Sequence, residues 1–507
     1  MTNEQTESAV VLSGNEDEGQ RRLHPLSWLF VLILHLKQFA FPLIILLFTG
    51  KGDRNELWPL IGVAALAIYS IFQYFTYRYR VLDDELVVRS GVFQKSVRHI
   101  SFSRIQNVSI TQNVLHRLFN VAEVRLEAAG GVKPEAEMRV LSLGDAHELE
   151  ATIRSHAVTK DASTASETPL VSAEALHALS VVDVIKLGLI NNRGMIVIGA
   201  AIGVLFQTAG EAMGKLMKSG FNWLFGWSDS LHLGAVSTAL GVVFLLVFFL
   251  VMVRIFSVVL ALLQYHGFTL SQLGRRLTVQ RGLLSRLRSS LPLRRIQAYG
   301  LSEGWLHRRF NKRSLKVDSA AGAALNEENK SPLRDLVPLA GPEEMDSLIA
   351  HFLSSKQWPI QHWQALHEDA WKREFMLPAL FFLVAGIVAA AFYDIALLGL
   401  LLAIPVLFLR AKVWSAHAAF SQTDDLIAVR EGWLSREWRF AEISKLQGMS
   451  LREGILDRRF GMASVYLDTA GANAMASTFR IPYLPREQAS KLMAQLSEKI
   501  SRGPLPF

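Results

Sequence analysis

Three stretches of this chain read GVFQKSVRHISFSRIQNVSITQNVLHRLF (91–119), GLLSRLRSSLPLRRIQAYGLSEGWLHRRF (282–310) and GWLSREWRFAEISKLQGMSLREGILDRRF (432–460). They align without a gap. In each, a glycine stands 15 residues before a glutamine (Gly91 and Gln106, Gly282 and Gln297, Gly432 and Gln447), and a phenylalanine stands 13 after it (Phe119, Phe310, Phe460). Arg117, Arg308 and Arg458 precede those phenylalanines by two positions. Arg104-Ile105, Arg295-Ile296 and Lys445-Leu446 stand directly before the glutamines. Agreement of this kind over 29 residues, three times, marks an internal repeat, and a repeat decides the architecture before any single element does.

The repeat extends outward. Leu86 and Val88 before Gly91 read as strand, turn and next strand, and so do Leu277, Val279 and Gly282, and Ile427, Val429 and Gly432. Val124 and Leu126, Leu315 and Val317, and Val465 and Leu467 alternate as a later strand, followed by small, glycine-bearing ends at Gly130-Gly131, Gly322 and Gly471. Each unit closes on a helical pattern: Ala146 to His156, Pro342 to Leu353, and Pro485 to Ile500. Several short strands and one closing helix predict a small α+β barrel capped by that helix. Upstream, Leu23-His24-Pro25-Leu26-Ser27 matches Leu176-His177-Ala178-Leu179-Ser180, and the third counterpart is placed weakly near His362.

Between these units lie six segments apolar enough to cross a bilayer, which takes ~20 residues. They fall in pairs: about 28–49 with 58–76, 193–209 with 235–263, and 376–392 with 394–410. An even number of crossings puts all three hydrophilic blocks on one side. Basic residues beyond the hairpins (Arg78, Arg80, Arg275, Arg276, Arg410, Lys412) place that side, and both termini, in the cytoplasm. The stretch 210–234 reads as an external loop, and the segments before each hairpin (28–48, 179–192, 362–374) as helices either interfacial or packed on the module. The expected divisions are a disordered tail 1–22, hairpin 23–76, module 77–157, linker 158–175, hairpin 176–264, module 265–356, hairpin 360–410 and module 411–502. No cleavable secretory signal is read at the N-terminus.

The strand–Gly–strand hairpin, the Arg-Ile-Gln trio, the Leu-x-Arg-x-Phe stretch and the small glycine end resemble the bacterial pleckstrin-homology-like (PH-like) module of membrane proteins of the YdbS and YdbT type, with the three-copy arrangement of the YdbT type. That resemblance implies a multi-pass helical protein of the bacterial cytoplasmic membrane with three cytoplasmic PH-like barrels. It names architecture more than chemistry. The third copy departs from it, with Lys445-Leu446 for Arg-Ile.

The chain has 507 residues, half of them hydrophobic, and no cysteine, which removes disulfides, thiolate metal sites and cysteine nucleophiles. Its net charge is +8, yet residues 265–316 alone carry +11, with twelve Lys/Arg against Glu303. Such a block suits nucleic acid or an anionic membrane. Adjacency to an apolar segment and the lack of interleaved aromatics favour lipid over nucleic acid. Arg275, Arg276, Arg281, Arg286, Arg288, Arg294 and Arg295 are therefore candidate headgroup contacts, beside the plainer reading of a generic positive-inside face. Arg254, inside apolar sequence, is either a functional intramembrane charge, with Asp183 a candidate partner, or a snorkelling arginine. The repeated Gly, Gln, Arg and Phe positions read chiefly as structural, with ligand contact as the alternative.

His147-Glu148 and His367-Glu368 open like zinc-protease helices but lack the second histidine, and Gly210 to Leu216 falls short of a P-loop. No cofactor, metal or catalytic set is expected. The expected function is a non-catalytic membrane scaffold or envelope-homeostasis protein binding anionic lipid and protein partners, among them a smaller PH-like membrane protein or a second copy. A six-helix transport or lipid-handling bundle built around Arg254 is the alternative.

Overall fold

The computed structural model describes residues 21–33, 58–91, 94–128, 135–159, 174–230, 234–319, 334–353, 357–392, 395–469 and 479–502. One pattern of seven strands occurs three times. The first set is β1 (Arg21–Arg22), β2 (Arg78–Val81), β3 (Glu85–Ser90), β4 (Ser96–Ser101), β5 (Ile105–Gln112), β6 (Val121–Ala128) and β7 (Ala136–Ser142). The second is β8 (Glu174–Ala178), β9 (Thr269–Leu273), β10 (Arg276–Arg281), β11 (Arg286–Pro292), β12 (Ile296–Glu303), β13 (Arg313–Ser319) and β14 (Asp335–Ala340). The third is β15 (Gln364–Ala365), β16 (Ala419–Gln422), β17 (Leu426–Gly432), β18 (Arg436–Glu442), β19 (Leu446–Arg452), β20 (Met462–Thr469) and β21 (Phe479–Pro485). Among the described residues these helices accompany them: α1 (Trp58–Thr76), α2 (Val114–Leu118), α3 (Leu143–Thr159), α4 (Val181–Ile190), α5 (Arg193–Ser230), α6 (Gly234–Tyr265), α7 (Trp305–Arg309), α8 (Pro342–Phe352), α9 (Ala370–Ala390), α10 (Ile395–His417), α11 (Ile455–Arg459) and α12 (Arg486–Arg502).

In every set four strands form one antiparallel meander and three form a second, and the two pack face to face under a closing helix. In the first barrel Tyr79, Leu86 and Ile100 meet Val108, Val124 and Met138, with Leu149 and Ile153 of α3 above them. In the second, α8 buries Met345, Leu348, Ile349 and Phe352, the one-face spacing of an amphipathic helix. Pro342 opens that helix as expected, whereas Pro485 ends β21 and α12 starts at Arg486.

The repeated residues have backbone reasons. Gly91, Gly282 and Gly432 have φ of 113°, 112° and 124°. A Cβ there would sit 1.7, 1.9 and 1.8 Å from the carbonyl oxygens of Gln94, Ser285 and Ser435, so only glycine fits the turn. The residue after each repeated phenylalanine is left-handed: Asn120, Asn311 and Gly461, types that tolerate that region. Pairing registers slip between Ile105 and Asn107, Ile296 and Ala298, and Leu446 and Gly448. Gln106, Gln297 and Gln447 therefore each occupy a β-bulge.

The unit is not a hairpin followed by a barrel. Its first strand precedes the apolar helices and its second follows them. Arg21 and Arg22 pair with Tyr79 and Arg78; Glu174 and Ala178 pair with Gln272 and Thr269; Gln364 and Ala365 pair with Phe420 and Ala419. In the second and third units the helical hairpin (α5–α6, α9–α10) is thus an insertion between the first two strands of its own barrel, and in the first α1 lies in that interval. The ends of the expected tail and linker, Arg21-Arg22 and Glu174-Ala175, belong to sheets. The upstream Leu-His motif lies at this strand. His24 N and His367 N donate to the carbonyls of Val140 and Tyr483, and His177 Nε2 lies 3.1 Å from that of Leu339, each carbonyl three residues before a closing helix. The third counterpart is Leu366-His367, not His362. There the expected helix at 362–374 gives way to β15 and the first turn of α9.

Barrels also share sheets. β5 of the first pairs antiparallel with β11 of the second, and β12 of the second with β18 of the third. Strand order is β7-β6-β5-β11-β10-β9-β8 in one sheet and β14-β13-β12-β18-β17-β16-β15 in the next. Tyr299 stacks on Phe440 across the second seam at 5.3 Å between ring centroids.

Among the described residues two helices are long and apolar enough to cross a membrane, Leu240–Tyr265 and Ala370–Ala390; the pair Val181–Ile190 and Arg193–Gln207, bent by 52°, makes a third if it is one span. Most of the expected span at 28–49 lies outside the described residues. The expected loop at 210–234 is instead helical through Ser230, where α5 ends.

Candidate membrane-facing site at the hairpin tips

The tip of the β10–β11 hairpin is tied to the end of α6. Gly282 N donates to the His266 carbonyl at 2.9 Å, and Leu283 N to the Leu263 carbonyl at 3.0 Å. Leu283 and Leu284 are 39% and 50% exposed there, and Arg286 follows, also exposed. The third barrel repeats the arrangement: Leu434 is 50% exposed at the tip, and Arg436 lies 2.9 Å from Nε2 of His417 at the end of α10. Two apolar residues, a polar one and a basic one follow the turn glycine in all three copies: Gly91-Val92-Phe93-Gln94-Lys95, Gly282-Leu283-Leu284-Ser285-Arg286 and Gly432-Trp433-Leu434-Ser435-Arg436.

The seven arginines expected to share one headgroup face are divided. Arg275, Arg276, Arg294 and Arg295 lie at the end of the hairpin away from the tip, where Leu293 N bonds to the Arg275 carbonyl. At ~3.3 Å per residue, the six residues of β10 separate them from the tip by about 17 Å. Arg281 is near the tip but its side chain is only 10% exposed, 3.8 Å from Asp335 and stacked 5.0 Å from the Tyr265 ring. Arg288 reaches across the first seam to Glu150 at 3.7 Å. Of the seven, only Arg286 combines an exposed position with the apolar tip at the end of α6. Charge density along the sequence hid this, because a strand distributes neighbours over two faces and two ends.

Arg281 belongs to a cluster that sequence reasoning missed. Tyr265, closing α6, donates its hydroxyl to Asp335 Oδ2 at 2.6 Å. Arg193, opening α5, reaches the same oxygen at 3.2 Å and Gln264 Oε1 at 2.5 Å. Burial alone would raise the Asp335 carboxyl, but the Tyr265 hydroxyl and the two guanidinium groups outweigh it and hold the group below the usual carboxylate range. The cluster joins both helices of the hairpin to β10 and β14. Its members come from four separate parts of the chain, so no local motif announces it.

Arg254 sits beside the bend between α4 and α5. Its Nη1 donates to the Leu189 carbonyl at 3.0 Å and to Asn192 Oδ1 at 3.1 Å. It satisfies a helix-end carbonyl that has lost its intrahelical partner. Asp183 is engaged elsewhere, with Lys312 at 3.0 Å and Ser180. Small residues bring these helices close: a Cβ on Gly188 would lie 2.5 Å from Val258 Cα, and Gly194 N donates to Ser257 Oγ.

The repeated arginines hold the seams. Arg117 donates to the Leu283 carbonyl at 3.2 Å, from α2 to the tip of the next barrel, and Arg308 does the same from α7 to Leu434 at 2.8 Å. Arg458, in the last barrel, is 72% exposed beside Glu453. Gln297 is buried and donates to the Arg295 carbonyl at 3.3 Å, while Gln447 is exposed. The repeated phenylalanines close the short helices, their amide nitrogens bonding to the carbonyls of Leu115, Leu306 and Leu456. Among the described residues no group of His, Asp and Glu side chains could hold a metal ion.

Barrel, closing helix and hairpin together match known sequences. The bacterial PH domain family matches residues 31–157, 228–351 and 379–500. The chain belongs to the bacterial PH domain family. These segments omit β1, β8 and β15, the short first strands that precede the apolar helices of each unit. The chain is also similar to the UPF0699 transmembrane protein YdbT of Bacillus subtilis (strain 168), with 22% identity over 346 residues, covering 66% of this chain and 69% of that protein. No solved structure matches. A membrane-associated role fits both findings.

Proposed function

We propose that this chain is a non-catalytic scaffold of the bacterial cytoplasmic membrane that holds three PH barrels against the cytoplasmic leaflet. Six helices cross the bilayer in three hairpins, and both termini and all barrels lie in the cytoplasm. The observation carrying this reading is the insertion of the α5–α6 and α9–α10 hairpins between the first two strands of their barrels. Both ends of such a hairpin return to one small body, so a barrel built this way is tethered twice and sits at the membrane surface.

That surface is the end bearing the tip. Val181, Val182 and Ile185 on α4 are exposed while Val184 and Leu187 are buried, and α4 is bent 52° from α5. This suits an interfacial helix with its apolar side toward lipid. Arg254 then reaches back from the spanning helix to the interface. Leu283 and Leu284 enter the headgroup boundary, and Arg286 meets anionic headgroups, for about 1 kcal/mol per basic residue.

Hydrogen exchange of the full chain in lipid nanodiscs tests the lipid contact. Backbone amides of 283–287 should be slower to exchange with anionic than with zwitterionic lipid, and Arg286→Gln should remove the difference. Equal exchange in both lipids would overturn it.

A further inference from the structure

The two seams between barrels have one register. In the first, Arg286 lies opposite Gln112, Arg288 opposite Ile110 and Ser290 opposite Val108. In the second, Arg436 lies opposite Glu303, Trp438 opposite Leu301 and Phe440 opposite Tyr299. Counted from the repeat glycine and glutamine, these are the same positions. Each barrel thus offers its fourth strand to the barrel before it and its fifth to the barrel after it. Two such edges remain at the ends of the array. Among the described residues β4 pairs only with β3, and β19 only with β20.

Exposure follows. Val108, Ser109 and Ile110 of β5 are buried at the first seam. Val97, Arg98 and His99 of β4 are exposed, Val97 by 51%, and so are Gln447 and Arg452 of β19. Carrying the seam register to these edges sets Lys95 opposite Glu453, Val97 opposite Leu451 and His99 opposite Met449. The first pair reproduces the Arg436–Glu303 pairing, and the second joins two apolar side chains. Arg458, 72% exposed, occupies the position from which Arg117 and Arg308 reach the next barrel. An open edge with a matching open edge on the same molecule is a template for a second copy.

We propose that β19 of one chain pairs antiparallel with β4 of a second copy, extending the three-barrel array head to tail. The contact is heterologous, so it closes into a ring or continues as a chain. Both molecules must keep their barrels on one membrane face, which confines the assembly to an arc in the membrane plane. This assembly does not depend on which lipid the tips contact.

The absence of cysteine makes the test direct. Full-length chain carrying Val97→Cys and Leu451→Cys is oxidised in native membranes. Expected are covalent dimers and higher multimers, reversed by reductant, and a dimer alone when separate Val97→Cys and Leu451→Cys chains are co-expressed. A pair shifted by one residue, Arg98→Cys with Leu451→Cys, places its side chains on opposite faces and should cross-link little. Gln112→Cys with Arg286→Cys, directly opposite at the first seam, should close within one chain and shows that fold and oxidant are in order. If that seam disulfide forms while Val97→Cys/Leu451→Cys gives no more multimer than the shifted pair, the proposal is overturned, including the case in which a different protein covers the edge.

Discussion

Arg308 donates through Nη2 to the carbonyl oxygen of Leu434 at 2.8 Å, linking the short helix of the second barrel to the hairpin tip of the third. The same bond joins Arg117 to Leu283 one barrel earlier. A residue repeated three times within the chain therefore serves the joint between units as much as the unit itself. Arg308→Ala should cost about 1 kcal/mol and quicken hydrogen exchange at 433–436, whereas Arg458→Ala should leave both internal seams unchanged. Equal effects of the two substitutions at those seams would refute this assignment.

The turn glycines allow a sharper expectation. In Gly282→Ala the new Cβ would lie 1.9 Å from the Ser285 carbonyl oxygen at a φ of 112°. A loss of about 2 kcal/mol is expected from the strain, read as a lower thermal midpoint in detergent. Gly267→Ala, at a φ of 63° with no atom within 4 Å of its Cβ, should cost less.

The Asp335 cluster should fail in acid. Its carboxyl is held below the usual range in the folded chain, so its contribution is present above the unfolded aspartate value and is lost as pH falls through the folded one. Asp335→Asn leaves Arg193 and Arg281 facing a neutral partner and should cost about 3 kcal/mol at neutral pH. The variant should also lose part of the acid sensitivity, which a thermal midpoint measured against pH would show.

His307 acts over a different window. Its Nδ1 accepts from Gly304 N, so Nε2 carries the proton and donates to Ser314 Oγ, which donates to the Pro338 carbonyl. Burial, helped by Lys316, lowers the imidazole to about 4. The folded chain thus resists protonation. Stability from this neutral histidine is complete above the unfolded value and declines as pH falls toward 4. His307→Gln should flatten that decline in the second barrel. An unchanged pH profile would show that the network does not matter.

Arg254→Leu tests the helix break. The Leu189 carbonyl and Asn192 would lose their donor, at about 1–3 kcal/mol. Exchange should rise at 189–194 and stay unchanged in the third barrel, an outcome that a transport role would not require.

Much of the fold could be read from the chain because its signals are local. Gly282 and Gln297 are 15 residues apart within one turn-and-strand unit, and the buried face of α8 is written in Met345, Leu348, Ile349 and Phe352. The first strand was harder. Ala178 pairs with Thr269 across the whole inserted hairpin, and the match of Leu23-His24 with Leu176-His177 was its only trace. The seams were harder still, because β5 and β11 carry no pattern naming each other. Arg281 misled for an electrostatic reason: its partner Asp335 lies 54 residues away, outside any window that measures local charge.

We propose that the three barrels share one membrane face. Single cysteines replacing Asp83, Glu174 and Asp424, one exposed position per barrel, and Glu211 on α5, can be labelled with a membrane-impermeant thiol reagent in intact cells and in inverted vesicles. The three barrel positions should react only in inverted vesicles, and Glu211→Cys only in intact cells. Labelling of any barrel position in intact cells would contradict a shared cytoplasmic face.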